Sequence, residues 1–439
     1  MSTMTSGTTA TTAPTGTVAA RRRAALERLH GAPAAPRSAV SASRPAASAG
    51  TRTRAARAAT SRPSRPTLAP HAPLGPPPGT FYAIAGVVTV LVMLGLVMVL
   101  SASAVTEANL GHSPYRIFGK QAMWAALGLI GLVICVKIDY RSWRRLIIPV
   151  GVLSAAAMAA PFAPGIGANV NGAQSWIRLG PLSVQPSEFL KLAVVLLAAD
   201  LLVRRADHLD DRRGTLAPIG LLAAVGAGLC LVQGDLGSAV VLGAIVFSVA
   251  WIAGVPATPL AVMVAGAAGA ALLFVVSSPR RLDRFTAFMN VTDEKDRLAY
   301  QTYQGFLSMA SGGITGSGIG GSNGKLGYLP YAHSDFIFAV IADELGLIGT
   351  IAVIGGFVML VGLGVQTALA APDRFGMLLS GGLAAWFGVQ AIVNIGGVTG
   401  IMPVTGLTLP FFSAGGSSLF VSMVAAGLLL SVARRVNSA

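Results

Sequence analysis

From residue 81 onward, long apolar runs alternate with short polar punctuation, and ten of the runs are candidates to cross the roughly 30 Å of a bilayer's hydrocarbon core. They lie at 81–101, 121–136, 146–161, 186–203, 217–232, 237–254, 260–276, 336–365, 377–395 and 409–432. The pattern predicts an all-α, polytopic membrane domain of about ten transmembrane helices over 81–435. One large polar loop, 277–334, separates the seventh run from the eighth.

Composition agrees with this. Hydrophobic residues make up 53% of the 439 and charged residues 11%, and the mean hydropathy of +0.68 is far from that of a water-soluble globule. Cys135 and Cys230 both sit inside apolar runs and read as small core hydrophobes with no disulfide framework. The net charge of +15 raises the question of nucleic acid, but its distribution answers against it. Residues 1–80 hold eleven arginines, eleven prolines and one acid, Glu27. Such a segment buries too little apolar surface to order itself, and no cleavable signal is expected before the first span. It reads either as a handle for anionic lipid or a cytoplasmic partner, or as a solvated topology anchor.

With the N-terminus inside, 22 of the 32 Lys and Arg fall on the inner side, so the positive-inside rule places both termini in the cytoplasm and the 277–334 loop outside. Arg280, Arg281 and Arg284 in that loop run against the trend, which long loops obey less strictly. This topology gathers unusual polar residues at one face. Lys120 and Gln121 open the second span, Glu188 and Lys191 sit in the outer part of the fourth, and Asp235 lies between the fifth and sixth. Asp335 opens the eighth, Asn394 closes the ninth and residues 413–418 begin the tenth. Groups from six spans at one depth predict an outward-facing cavity.

Asp335 stands where a polar loop enters an apolar segment, close enough to water to act as a general base on an extracytoplasmic substrate. Its structural alternative is an acid favoured by a helix N-terminus. His333 and Ser334 beside it, and Lys325 in the preceding loop, are further substrate-binding candidates. His333 is either a proton relay or a structural hydrogen-bonding group. Asp343 and Glu344 fall about 12 Å deeper along a helix, as candidate buried partners for a cation. Glu188 and Lys191, three apart, share a helix face. They form an intramembrane ion pair, or Lys191 offers charge with Arg178 to an anionic group such as a pyrophosphate, or both.

The loop SGGITGSGIGGSNGK (311–325) contains a formal GxGxxG, yet no βαβ unit surrounds it, and a Walker loop fails because Ile319 stands where a glycine is required. No nucleotide is expected. The glycines are expected to let backbone approach a ligand or the membrane surface closely. No HExxH, Cys/His set or EF-hand loop is present in the sequence.

Several motifs in order carry a family resemblance: FGKQ (118–121), NGAQSWIRLGPLSVQPSEFLKL (171–192), GDLGSA (234–239), the 311–325 loop, YLPYAHSDFIFAVIADELG (328–346) and GLTLPFFSAGGSS (406–418). The chain resembles the SEDS family (shape, elongation, division and sporulation), most nearly its cell-division branch, over about 81–435. The resemblance implies a peptidoglycan glycosyltransferase of the bacterial cytoplasmic membrane at the division septum. It would polymerise lipid II at the outer leaflet, beside a class B penicillin-binding protein and other divisome proteins. The family's essential aspartate falls on Asp335. That acid would deprotonate the acceptor sugar's 4-hydroxyl, which attacks the donor's anomeric carbon and expels undecaprenyl pyrophosphate with inversion. Support by a divalent cation, Mg2+ or Mn2+, is also implied, with no residue here assignable to it. Two positions depart from the family pattern: Gly327 and Tyr331 stand where glutamates are usual.

Competing functions remain open at this point. A lipid II flippase would carry charged residues on into the inner half, where the sequence shows Asp200. A non-catalytic divisome scaffold would work without Asp335, and an elongation role is also compatible. An ion-coupled transporter lacks the expected internal repeat and paired broken helices.

Overall fold

The computed structural model of the protein describes residues 77–170, 172–180, 182–292, 294, 299–322 and 329–436. Most of the basic tail expected over 1–80 lies outside these residues, as do Lys325 and Gly327.

Each apolar run folds as a helix: α1 (Gly79–Asn109), α2 (Arg116–Lys137), α3 (Ile147–Ala157), α4 (Pro186–Arg204), α5 (Ala217–Val232), α6 (Leu236–Ala253) and α7 (Ala257–Val276). Two shorter helices, α8 (Pro279–Met289) and α9 (Tyr300–Gly312), occupy the long loop, before α10 (Ile337–Leu369), α11 (Arg374–Val398) and α12 (Ser417–Ala433). Among the described residues seven helices are long and apolar enough to cross a membrane. The other three runs fall short for physical reasons. Helices α3 and α12 are short, and α4 carries Glu188, Lys191, Asp200 and Arg204 within 19 residues. A span so charged is tolerable only inside a bundle, and α4 is enclosed along most of its length.

Close packing sets the bundle. Helix α2 lies against α12, where Gly427 meets the Leu132 carbonyl and Gly128 meets Met423, so the absence of side chains lets the two backbones approach. Of the seven long apolar helices, α11 is the most enclosed and α7 the most peripheral. At one end of the molecule a belt of ion pairs ties elements together: Arg141 to Asp373 at 2.7 Å, Arg144 and Arg204 to Asp200 at 2.6 Å each, and Arg435 to Asp139 at 3.2 Å. Asp373 follows the far end of α10 and Asp335 precedes its start. Thirty-three residues separate the two faces, on the order of 50 Å of helix.

Two features depart from the sequence reading. The segment before α4, expected to be loop, forms a three-stranded antiparallel sheet of β1 (Gly167–Val170), β2 (Ala173–Leu179) and β3 (Leu182–Val184), with Gly167 opposite Ile177 and Ile177 opposite Val184. Within β2 the alternation is visible only in the stretch where Ser175 and Ile177 are buried and Arg178 is exposed.

The second concerns the glycine-rich loop, whose described backbone packs against α10. Gly305 packs on Phe336 and Gly312 on Ala342, so α9 descends beside the upper part of α10. There α10 is broken at Gly346, whose φ of 65° and ψ of −163° are not helical. The loop replaces the bonds the break removes: Ser317 and Gly318 N–H donate to the Asp343 and Glu344 carbonyls, and Leu347 and Ile348 N–H donate to the Gly313 and Ile314 carbonyls. A Cβ on Gly316 would collide with the Glu344 carbonyl, so the fit depends on bare backbone. The buried Asp343 carboxylate fastens the join from the side, with the hydroxyls of Ser322 at 2.6 Å and Ser311 at 3.0 Å.

Candidate active site

Asp335 occupies the turn immediately before α10, held by three segments. Its own carbonyl accepts from Asn394 Nδ2 at 2.9 Å on α11, and the same amide nitrogen donates to the Leu407 carbonyl at 2.7 Å. The His333 carbonyl accepts from Ala414 N–H at 2.9 Å in the loop leading to α12. That loop is fixed in turn by Gln121 of α2, whose Nε2 donates to the Ser413 carbonyl at 2.9 Å. The turn and the loop each hold one non-glycine residue in the left-handed region, Tyr331 at φ 54° and Phe411 at φ 68°. Such strain concentrates where surrounding structure fixes a functional geometry.

Between these segments lies a crevice of about 10 Å³, lined by Asp335, Phe336, Asn394, Val404, Thr405 and Leu407 among others. That is room for one water-sized group. The half-buried Asp335 carboxyl meets the Ser334 hydroxyl, 3.0 Å from Oδ1, and its own backbone N–H, and that hydroxyl also lies 3.1 Å from the Tyr331 carbonyl. Among the described residues no Lys, Arg or His forms a salt bridge with it. Burial therefore pushes the carboxyl up to about 6, against the weaker pull of Ser334. A carboxylate poised there is mostly ionised at neutral pH yet basic enough to take a proton. Burial likewise moves the His333 imidazole below its ordinary value, opposed by the negative charge of Glu107.

The other residues singled out from sequence have varied surroundings. Lys191 is fully buried, with Nζ 2.8 Å from both Glu188 Oε1 and Gln390 Oε1 and set over the Trp386 ring. The geometry is that of the intramembrane ion pair, and in this conformation the ammonium does not reach the surface. Gln390 carries the network on to Thr408 in the loop that walls the crevice. Asp235 caps α6 by accepting from Ser238 N–H at 2.8 Å and takes a second bond from Gln185 at 3.1 Å. Lys120 and Arg178 are exposed. Lys325 lies outside the described residues. Among the described residues no three His, Cys, Asp or Glu side chains converge to hold a metal.

Sequence reasoning passed over one cluster. Buried Glu107, at the end of α1, pairs with Arg116 at 2.6 Å and lies 3.3 Å from His112, and its charge is felt at His333. An acid closing an apolar run, with basic residues five and nine positions later, was the available signal.

Comparison with known proteins decides the lineage. The sequence pattern of the FtsW/RodA/SpoVE family, described as cell cycle proteins, matches residues 82–438. The chain belongs to this family. Relatives named probable peptidoglycan glycosyltransferase FtsW include one from Trichlorobacter lovleyi, 38% identical over 79% of this chain and 91% of its own length. Another, from Mycobacterium tuberculosis, is 37% identical over 82% of this chain and 69% of its own. Among solved structures, a chain from a peptidoglycan synthase complex superposes with a TM-score of 0.66 at 29% identity, covering 81% of this chain and 98% of that one. The Thermus thermophilus rod shape determining protein RodA gives 0.59 at 29% identity, over 81% and 97%. The ten-helix bundle is thus the FtsW/RodA/SpoVE fold.

Proposed function

We propose that this chain is a peptidoglycan glycosyltransferase that polymerises lipid II at the outer face of the cytoplasmic membrane, with Asp335 as the general base. The observation that carries the reading is the placement of Asp335: a carboxyl raised by burial, without a salt-bridge partner among the described residues, lining a crevice at the face opposite the ion-pair belt. The acceptor's 4-hydroxyl gives its proton to Asp335. Its oxygen then bonds to the donor's anomeric carbon from the side opposite the pyrophosphate, which leaves with the electron pair of the broken bond, inverting the centre. Pyrophosphate is already a good leaving group, so positioning and proton removal are the main tasks left to the protein. Exposed Arg178 and Lys120 are cations available to meet an anionic headgroup.

Both termini are then cytoplasmic. The family's description as cell cycle proteins supports a role in septal synthesis, and the match to a peptidoglycan synthase complex that couples polymerization to crosslinking supports a crosslinking partner, which we take to be a penicillin-binding protein. The flippase alternative loses its main support, because Asp200, the acid in the inner half of α4, is fully engaged by Arg144 and Arg204. Purified protein in detergent, given lipid II, is expected to produce glycan polymer and undecaprenyl pyrophosphate, and Asp335→Asn to produce neither. Equal polymer from both proteins refutes the assignment.

A further inference from the structure

The crevice beside Asp335 contains a second polar group that the reaction as written does not use. Both hydrogens of the Asn394 amide nitrogen are committed, one to the Asp335 carbonyl and one to the Leu407 carbonyl. Carbonyl oxygens only accept, so these two bonds fix which end of the amide is which. Oδ1 is therefore an acceptor, and it is buried with no hydrogen-bond partner among the described residues. The residue is 4% exposed and lines the same crevice as Asp335. A buried acceptor left unpaired is costly, and the cost is removed when a ligand supplies a donor.

The size of the crevice limits that ligand. Room for one water-sized group admits one hydroxyl but not a sugar ring, so the ring sits outside, one hydroxyl entering toward the buried Asn394 while its neighbour meets the half-buried Asp335 at the mouth. A carboxylate and an amide oxygen from two residues that line one crevice suit two adjacent hydroxyls. On an N-acetylglucosamine acceptor the 4-hydroxyl has the 3-hydroxyl as its neighbour on the ring. A muramyl sugar carries an ether oxygen at C3 and has no proton to offer there.

We infer that Asn394 is a specificity-determining residue, whose Oδ1 accepts a hydrogen bond from the 3-hydroxyl of the acceptor sugar while Asp335 takes the proton from its 4-hydroxyl. This rests on the glycosyltransferase reading above. Together the two side chains select the glucosaminyl end of the substrate and reject a 3-O-substituted sugar, since a site built to bond a hydroxyl discriminates strongly against its absence.

The test pairs enzyme variants with substrate analogues. Polymerisation rates are measured for wild type, Asn394→Ala and Asn394→Asp on lipid II, on an analogue with hydrogen in place of the glucosaminyl 3-hydroxyl, and on a 6-deoxy control. Wild type is expected to lose at least about tenfold on the 3-deoxy substrate and little on the 6-deoxy one. Asn394→Ala, slower on lipid II, is expected to show no added loss on the 3-deoxy substrate. Asn394→Asp keeps an acceptor but loses both N–H clamps, so its 3-deoxy penalty is expected to persist. The inference is overturned by an equal 3-deoxy penalty in wild type and Asn394→Ala, by loss of the penalty in Asn394→Asp, or by its absence in wild type. Wild type that makes no glycan from lipid II would instead overturn the parent reading.

Discussion

At the scale of single residues, the site depends on an acid that has no salt-bridge partner among the described residues. With its carboxyl raised to about 6 by burial, Asp335 should give a pH–rate profile whose acid limb has its midpoint near pH 6. A base works only when ionised, so the rate is expected to fall below that value and to level off above it. A midpoint near 4 would mean that water reaches the carboxylate freely. Because the folded-state value lies above the unfolded one, this group's contribution to stability is complete at low pH and is lost as pH rises through about 6. Asp335→Asn, neutral throughout, is therefore expected to cost about 10²-fold or more in rate and to melt at or above the wild-type temperature at pH 7.5, measured by thermal unfolding in detergent. Lys191 makes the opposite case. Removing it as Lys191→Met strands the Glu188 carboxylate inside the bundle, with an expected cost of about 3–5 kcal/mol, whereas changing Glu188 to Gln in the same protein should restore much of the loss. Sequence placed both acids correctly along the chain, but spacing alone leaves open whether a lysine three residues from a glutamate faces the glutamate or a substrate. The partner that decides it, Gln390, is 199 residues away.

At the scale of elements, hydropathy located all ten spans, because twenty-odd apolar residues have few alternatives in lipid. It did not locate the sheet before α4. Its strands run four, seven and three residues, too short for a period-2 pattern to stand out. Nor did it reveal the break in α10. A single glycine in an apolar run looks innocuous, and the loop that repairs the break comes from some thirty residues upstream. Gly346 tests the arrangement. A side chain there meets both a positive φ and the loop backbone packed against it. Gly346→Val is expected to destabilise by at least about 1–3 kcal/mol, read as a lower unfolding temperature, together with faster proteolysis of the 311–322 segment. An unchanged melting profile would show that the break does not require glycine.

At the scale of the whole molecule, the asymmetry between faces is a statement about topology. One face holds the Arg–Asp belt, and the other holds Asp335, the crevice and the Glu107 cluster. Cys135 and Cys230 are buried, so an added thiol can report sidedness without removing them. Ser113→Cys is expected to react with an impermeant maleimide applied from outside intact spheroplasts, and Ser142→Cys only after the membrane is opened. The reverse pattern would invert the molecule and place the proposed base in the cytosol. The spliced helix also bears on how the chain enters the bilayer. Helix α10 cannot be handed to lipid as a finished rod, since beside Gly346 two carbonyls and two amides take their partners from the glycine-rich loop made earlier. The translocation machinery must therefore keep that loop close by until the lower half of α10 has emerged. A ribosome stalled between residues 322 and 346 would hold a loop whose docking site has not yet been synthesised.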